Sequence, residues 1–348
     1  MNIQSIPFRS LAVGLMFIGP IAGCGTDTTS EVSEPTKTTV KLLTYEGYVF
    51  PEDLKAAAEQ AVGATIEVIP RGDAPTALGS ALLANGKPEA DVLFGIDTSL
   101  LGRAQGASSA FETAELDSTD AVIDGRFVEI DSAPVCFDVD STWFVRRGIA
   151  APTTFNDLVN PMYKDLTVLG SPVSSSPGSM MLVATHEQMG PSATQWWKDL
   201  GANGALFTTG WTEAWNDNYT QGKGNRPIVL SYASSPPAEV VYGPDPAATP
   251  ATKVMTSTCV DQHEYVAVLA GSSNLSAARK LVQFMRSTAF QGALPLSNFV
   301  YPVDRSVQLP PVFATFGSRP DSTIQVDPSK FSGEYEKWLN DFRDATGQ

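Results

Sequence analysis

Short apolar runs and helically spaced apolar residues alternate along the first part of the chain after a polar lead. The β-branched and apolar runs predict three strands, at 40–45, 65–70 and 90–95. Between them, apolar residues recur at helical intervals over 51–64 and 74–85, and Pro51 suits a helix start. Strands that alternate with helices in this way indicate an α/β lobe with a largely parallel sheet. Ligands gather at the carboxyl ends of such strands.

A second α/β passage begins near residue 134. Apolar runs predict strands at 134–139, 143–145, 165–170 and 228–232, and strand residues within 254–269 that return toward the first lobe. Helical spacing predicts helices over 180–189, 193–200, 274–286 and 335–345, while Thr154 can cap a short helix. The pattern therefore predicts an α/β protein of two lobes, with 38–133 plus 263–348 in lobe 1 and 134–262 in lobe 2.

Residues 1–23 have the order of a secretory signal: one cation, Arg9, then an apolar run and small residues before Cys24. The apolar run spans only about 20 Å as a helix, too short for a bilayer core of about 30 Å. A cysteine at the cleavage point resembles a bacterial lipoprotein box, in which the thiol of Cys24 carries a diacylglycerol. The alternative is a secretory signal without lipid. Residues 24–37 are polar, which predicts a flexible linker.

The net charge and the cysteines limit the classes of ligand and of covalent or metal cross-link that the chain can have. The 348 residues carry 23 basic and 38 acidic side chains, and loss of Arg9 with the signal makes the formal charge of −15 more negative. This charge opposes nucleic-acid binding and permits a cationic ligand. Outside the cell, Cys136 and Cys259 can form a disulfide, with two buried free thiols as the alternative. A metal site from these cysteines with His186 and His263 lacks ligand spacing.

Three polar-aromatic clusters follow predicted strands. They are the serine-rich loop 171–178, which leads into a helix N-terminus, the pair Gly210-Trp211, and the run 231–236. The first can hold an anion such as a phosphate, but taken by itself this loop favours helix capping alone. Enzyme motifs are missing from the sequence: there is no Gly-x-Ser-x-Gly elbow, no phosphate-gripping Lys loop, and neither histidine adjoins a persuasive nucleophile. We expect a binding protein and not an enzyme.

Together, six segments resemble the thiamine-binding periplasmic proteins of ABC importers, within the type II solute-binding proteins: 43–48, 90–101, 176–178, 210–214, 229–236 and 297–303. The resemblance implies a two-lobed periplasmic-binding-protein type II fold with a ligand cleft between lobes. It also implies a monomer that needs no cofactor, binds a thiamine-like cation and serves the permease and ATPase of an importer. With the lipid anchor, the expected location is the extracytoplasmic face of the cell membrane.

The resemblance also implies ligand-binding residues. Aromatic faces that attract a flat cation would come from Tyr45, Trp211, Tyr232 and Tyr301. Polar contacts would come from Asp97 to the pyrimidine amino group, from Ser175 and Ser176 to the hydroxyethyl end or a phosphate, and from Ser234 and Asn298. Phe299 stands where the family usually has Trp, which keeps a ring but loses the indole N–H and much of the cation–π strength. Ferric iron and a polyamine are the alternative ligands, although the ferric carriers would have adjacent tyrosines where Tyr232 precedes Ala233. A thiamine-related enzyme is the remaining alternative.

Overall fold

The computed structural model describes residues 38–116, 120–245, 247–317, 319–328 and 333–348. The predicted signal 1–23, the lipidation site Cys24 and the linker 24–37 lie outside these residues. The described part is a mixed α/β structure with two β-sheets and helices packed on them, which confirms the predicted two-lobed class. None of its helices is long and apolar enough to cross a membrane.

The strands in chain order are β1 (Thr39–Thr44), β2 (Thr65–Pro70), β3 (Val92–Asp97), β4 (Val122–Ile123), β5 (Phe127–Ser132), β6 (Val135–Asp140), β7 (Thr167–Gly170), β8 (Leu206–Thr208), β9 (Ile228–Tyr232), β10 (Thr252–Val254), β11 (His263–Val268) and β12 (Tyr301–Pro302). The helices are α1 (Glu52–Val62), α2 (Ala74–Leu83), α3 (Thr98–Gly106), α4 (Ser141–Arg147), α5 (Phe155–Leu158), α6 (Ser176–Met189), α7 (Ala193–Ala202), α8 (Trp211–Glu213), α9 (Pro236–Tyr242), α10 (Leu275–Met285), α11 (Thr288–Ser297), α12 (Pro311–Phe316) and α13 (Tyr335–Thr346).

The two sheets mix parallel and antiparallel strands. The first has the order β12-β5-β11-β3-β1-β2, with β4 beside β5, and the second has the order β10-β6-β9-β7-β8. In the first, β1 runs parallel to β2 and β3, as the strand–helix alternation predicts, while β11 runs antiparallel to β3 and β5. In the second, β7 is parallel to β8 and β9, and β6 is antiparallel to β9. The returning strands therefore make each sheet less parallel than expected.

One predicted strand is wrong. Residues 143–145 form part of helix α4, although Trp, Phe and Val favour strands. The Asp140 carboxylate accepts a hydrogen bond from the Trp143 backbone N–H at 2.9 Å and caps this helix. The cap satisfies backbone donors that a strand would leave without partners at this point. At α5 the predicted cap is confirmed, because Thr154 and Asp157 form a reciprocal capping box.

The last helix belongs to a different core from the one predicted. The apolar face of α13 packs on α7, where Leu339 and Phe342 are buried and the rings of Trp197 and Phe342 lie 5.1 Å apart. These residues share the core of the second sheet, whereas the sequence grouped 335–348 with lobe 1. The grouping was wrong here because position along the chain does not reveal which apolar face a terminal helix meets. The other predicted lobe limits stay predictions.

The chain crosses between the sheets from β5 to β6 and returns from β10 to β11. At this crossing the backbones of Val135 and Val260 exchange two hydrogen bonds of 2.9 Å. Beside them Cys136 and Cys259 form a disulfide, with sulfur atoms 2.03 Å apart and 123 residues of separation along the chain. This confirms the predicted pairing. The two connecting strands are thus tied together covalently next to the place where the lobes meet.

Candidate ligand-binding cleft

A cavity of about 110 Å³ lies between the two sheets and is lined from both sides. Its wall combines aromatic rings with carboxylates: Tyr45, Trp211, Trp215, Tyr232 and Phe299, together with Glu46, Asp73, Asp131 and Glu264. Among the described residues, no Lys, Arg or His side chain lines it. The wall is therefore suited to a flat ligand that carries positive charge.

Three of the rings that the sequence assigns to the ligand lie in the aromatic part of the wall. Tyr45 directly follows β1, Tyr232 ends β9, and Trp211 begins α8. The rings of Trp211 and Tyr232 lie 6.1 Å apart, and Trp211 stacks on Trp215 at 5.7 Å. The indole N–H of Trp211 donates to the Ser231 hydroxyl at 2.9 Å, which fixes the orientation of the ring. These rings present faces on which a planar ligand can stack.

Asn298 and Phe299 also reach the cavity, at the end of α11. The Asn298 side chain is held by the backbone of Val49, accepting from its N–H and donating to its carbonyl, both at 2.9 Å. Phe299 adopts a φ of +55°, in the left-handed region that side chains rarely enter. Its ring contacts Tyr242 of α9 with centroids 5.5 Å apart. The Phe299 ring therefore bridges the two sides of the cleft.

Asp97 does not line the cavity, which corrects its predicted place at the ligand. Its carboxylate is fully buried and caps α3, accepting from the backbone N–H groups of Ser99 at 2.7 Å and Leu100 at 3.1 Å. The hydroxyls of Ser99 and Ser176 donate to it as well, each at 2.5 Å. Burial raises the pKa of Asp97 to about 6, and these donors limit the rise. Ser176 does line the cavity, so Asp97 lies directly behind the wall.

Three other predicted residues also lie away from the cavity. Ser175 and Ser234 are fully buried; a hydrogen bond from the Ser175 hydroxyl lowers the pKa of Asp73, and the Ser234 hydroxyl has no hydrogen-bond partner in the described part of the chain. Tyr301 packs edge-on against Phe313 at 5.0 Å, with the Arg319 guanidinium 3.9 Å from its ring centroid. The structure thus brings Tyr45, Ser176, Trp211, Tyr232, Asn298 and Phe299 together and leaves Asp97, Ser175, Ser234 and Tyr301 outside.

Asp73 is a cavity carboxylate that the sequence prediction omitted. One oxygen accepts from the Ala74 N–H at 2.7 Å and caps α2, while the other accepts from the Trp211 N–H at 3.1 Å. Asp73 therefore joins the first sheet's side of the cleft to the second. Burial raises its pKa, and the hydrogen bonds from Ala74 and Trp211 oppose that rise. Its position just after β2 was a usable signal, because neighbouring parallel strands end at the same edge of the sheet.

Asp131 and Glu264 were missed as well. They are cross-strand neighbours on β5 and β11, and both are at least 95% buried. The Tyr45 hydroxyl donates to the Glu264 carboxylate at 3.0 Å. Burial and the adjacent charges raise the pKa of Asp131 well above its usual range. An acidic residue within the otherwise apolar run of β11 was the available signal.

Known proteins share this architecture. The family described as "Bacterial extracellular solute-binding protein" matches residues 105–239. The thiamine-binding periplasmic protein of Brucella suis biovar 1 (strain 1330) is 25% identical over 323 residues, which cover 90% of this chain and 93% of that protein. The chain is similar to this periplasmic binding protein over most of its length. The names of these proteins are those of binding proteins, the class that the sequence predicts for this chain.

Solved structures agree on the fold. A periplasmic thiamin binding protein superposes with a TM-score of 0.78 at 24% identity and covers 90% of this chain and 97% of its own. The apo ferric ion-binding protein A of Pasteurella haemolytica has a TM-score of 0.67 at 15% identity and covers 88% and 98%. The solute-binding protein fold is therefore shared between carriers whose names give different ligands, and the cavity must decide between them.

Proposed function

We propose that this solute-binding protein captures thiamine in the cleft and delivers it to the permease of an ABC importer. The observation that carries the proposal is the cavity wall, in which stacked aromatic rings stand beside four carboxylates and no basic side chain among the described residues. Thiamine is a permanent cation with two flat rings, so both properties of the wall suit it. The relative named as a thiamine-binding periplasmic protein supports the same ligand.

The two kinds of wall residue have separate tasks in this proposal. Tyr45, Trp211 and Tyr232 stack on the rings, since aromatic faces attract a cation within about 6 Å of their centroids. Asp73 supplies the acceptor for the pyrimidine amino group, the task that the sequence gave to Asp97. Asp97 instead orients the Ser176 hydroxyl by accepting a hydrogen bond from it at 2.5 Å. Asn298 and Phe299 close the wall from the α11 side.

The same wall favours thiamine over its phosphate esters. A phosphate would enter a cavity lined by carboxylates without a basic partner among the described residues. Its expected place, the N-terminus of α6, already faces the Asp73 carboxylate, whose pKa the Ser176 N–H lowers. Like charges would then meet at short range with little water between them. We therefore expect affinity to fall from thiamine to its monophosphate and then to its diphosphate.

Delivery of the ligand to the permease would depend on closure of the cleft and on a tether to the membrane. The two sides touch through the Asp73–Trp211 and Asp97–Ser176 hydrogen bonds, so hinge motion at the β5–β6 and β10–β11 crossings would open and close the cleft. We propose that a monomer, tethered by lipid at Cys24 to the extracytoplasmic face of the membrane, presents its closed form to the permease and its ATPase. A tether raises the local concentration of the carrier at the importer.

Ferric iron and a polyamine are the competing ligands. Ferric iron as the ligand is supported only by the shared fold. Tyr232 is followed by Ala233 and not by a second tyrosine, and no group of three or more His, Cys, Asp or Glu in the described residues is placed to hold a metal ion. A polyamine is favoured by the four carboxylates of the wall. The stacked rings give thiamine the advantage, because a flexible chain has no flat face to stack.

Calorimetric titration of the chain that begins after Cys24 tests the proposal. The ligands are thiamine, its mono- and diphosphate, ferric citrate and spermidine, and thiamine should bind most tightly. Trp211→Ala should weaken thiamine binding at least thirtyfold, about 2 kcal/mol, whereas Trp143→Ala, which changes a Trp outside the cavity, should not. Absence of heat and of thermal stabilisation with thiamine would defeat the proposal, and turnover of thiamine would assign an enzyme instead.

A further inference from the structure

Three carboxylates stand in a row across the first sheet. Glu264 on β11 is in register with Asp131 on β5 at one side and with Asp97 on β3 at the other. Asp131 and Glu264 line the cavity, whereas Asp97 is turned into the cap of α3. Like charges directly opposite each other on neighbouring strands destabilise a sheet. The row therefore needs either compensating cations or protons.

Among the residues that the structure describes, no cation compensates the two cavity carboxylates. Neither Asp131 nor Glu264 forms an ion pair among the described residues, and Oδ1 of Asp131 has no hydrogen-bond partner there although the side chain is almost fully buried. Within the described ranges, the Tyr45 hydroxyl at 3.0 Å is the one donor to Glu264 from outside the row. Two ionised carboxylates in this setting would carry a large desolvation cost. A proton held between them removes one of the charges.

Three carboxylates and three phenols face the pair, and each of the carboxylates raises the pKa of one of its members. They are Asp97 on β3, Asp73 after β2 and Glu129 on β5, together with the phenols of Tyr45, Tyr48 and Tyr232. Glu129 is itself paired with His263 at 2.8 Å. Burial, followed by the charges of Asp97 and Asp73, raises the pKa of Glu264 to about 8, and the Tyr45 hydroxyl only partly opposes this. The geometry and the charges agree that the pair keeps a proton near neutral pH.

We propose that Asp131 and Glu264 form a proton-exchange subsite, which holds one proton without ligand and releases it when a cationic ligand enters the cleft. The proposal rests on the proposed function for its ligand, thiamine. In the exchange, the carboxyl O–H bond breaks, its electron pair stays on the carboxylate, and the proton passes to water or buffer. The ligand's positive charge takes the place of the proton beside the pair, so the net charge of the cavity is unchanged.

This exchange makes affinity depend on pH in a defined direction. Below the raised pKa of the pair, each bound cation must displace a proton, and the apparent affinity falls as the solution becomes more acidic. Above it, the pair is already ionised and the dependence disappears. Affinity for thiamine should therefore rise by up to tenfold per pH unit between about pH 6 and pH 8 and then level off. A neutral ligand of the same shape gains nothing from this rise.

Titration with thiamine at pH 7 in phosphate and in Tris counts the protons, because the two buffers differ in heat of ionisation. We expect release of between half and one proton per thiamine. Glu264→Gln and Asp131→Asn should each lower the count toward zero, since the remaining carboxyl loses its like-charged neighbour. The matched control is Asp138→Asn, which changes a fully buried carboxyl that does not line the cavity and should leave the count unchanged.

The outcomes separate the two proposals. Thiamine binding with equal heats in both buffers would overturn the exchange and leave the proposed function standing. Failure of thiamine to bind at any pH would defeat the proposed function. Infrared spectra of the protein without ligand would then show whether the pair holds a proton. Infrared difference spectra of the wild type minus Glu264→Gln at pH 7 should show the carbonyl band of a protonated carboxyl. If that band is missing, the subsite does not hold a proton and the inference fails.

Discussion

Asp97 and Glu264 are neighbours in the same sheet and both are almost fully buried, but they differ in the number of hydrogen bonds that they receive. Asp97 receives four hydrogen bonds, two from backbone N–H groups of α3 and two from serine hydroxyls. Glu264 receives one from Tyr45, with a second carboxylate opposite. Burial raises the pKa of Asp97 to about 6 and that of Glu264 to about 8, so Asp97 loses its proton at a lower pH than Glu264 does. Donors, more than depth, decide the charge of a buried carboxyl.

The largest change in stability is expected at Asp97, the carboxylate that receives four hydrogen bonds. Asp97→Ala leaves the first turn of α3 uncapped and deprives the Ser99 and Ser176 hydroxyls of their acceptor. We expect a loss of about 3 kcal/mol in the free energy of unfolding at pH 7, measured by urea denaturation. The matched control is Asp157→Ala, which removes the half-buried carboxylate from the capping box of α5 and should cost about 1 kcal/mol. Equal losses for the two variants would contradict the assigned role of the four donors.

Removal of the Glu264 carboxyl, which receives one hydrogen bond from Tyr45, should stabilise the protein, and only at higher pH. The pKa of Glu264 is raised in the folded state from its ordinary 4.5 to about 8. The folded protein therefore binds the proton more tightly than the unfolded chain, and stability falls as pH rises between these values. Glu264→Gln should gain about 2 kcal/mol over the wild type at pH 8 and little at pH 4.5, by thermal unfolding. A gain of the same size at both pH values would refute the assignment.

Asp73 is an intermediate case, because its donors come from both sides of the cleft. The Ala74 N–H is local, whereas the Trp211 N–H reaches Asp73 only when the sides touch. Asp73→Asn keeps a capping oxygen but weakens this contact and removes a negative charge from the wall. We expect about tenfold weaker thiamine binding with unfolding free energy nearly unchanged, measured by titration and denaturation of the same sample. A large loss of stability without loss of affinity would make Asp73 a structural cap alone.

The sequence predicted the strand ends correctly but could not assign the side chains that follow them. Tyr45, Asp73 and Asp97 all lie at or just after the ends of strands in one sheet, and both carboxylates cap the helix that follows. Only Asp73 lines the cavity, and the local sequence does not distinguish the two. Glu264 becomes a cavity residue through its register with Asp131, a long-range pairing that local patterns do not contain. The α4 helix shows the same limit at short range, since one Asp140 cap overrides three strand-forming residues.

The smallest effect concerns Asp138, and it tests whether proximity to the ligand matters beyond burial. Like Asp131, Asp138 is buried with oxygens that have no partner in the described part, and burial raises its pKa well above the usual range. Asp138→Asn should therefore flatten the fall of stability with pH, by less than about 1 kcal/mol at pH 8, as Glu264→Gln does more strongly. It should leave the protons released on thiamine binding unchanged, because its carboxyl does not line the cavity. A drop in that count would mean that the proton is shared through the whole protein and not exchanged at the cleft, since only carboxyls beside the ligand can trade a proton for its charge.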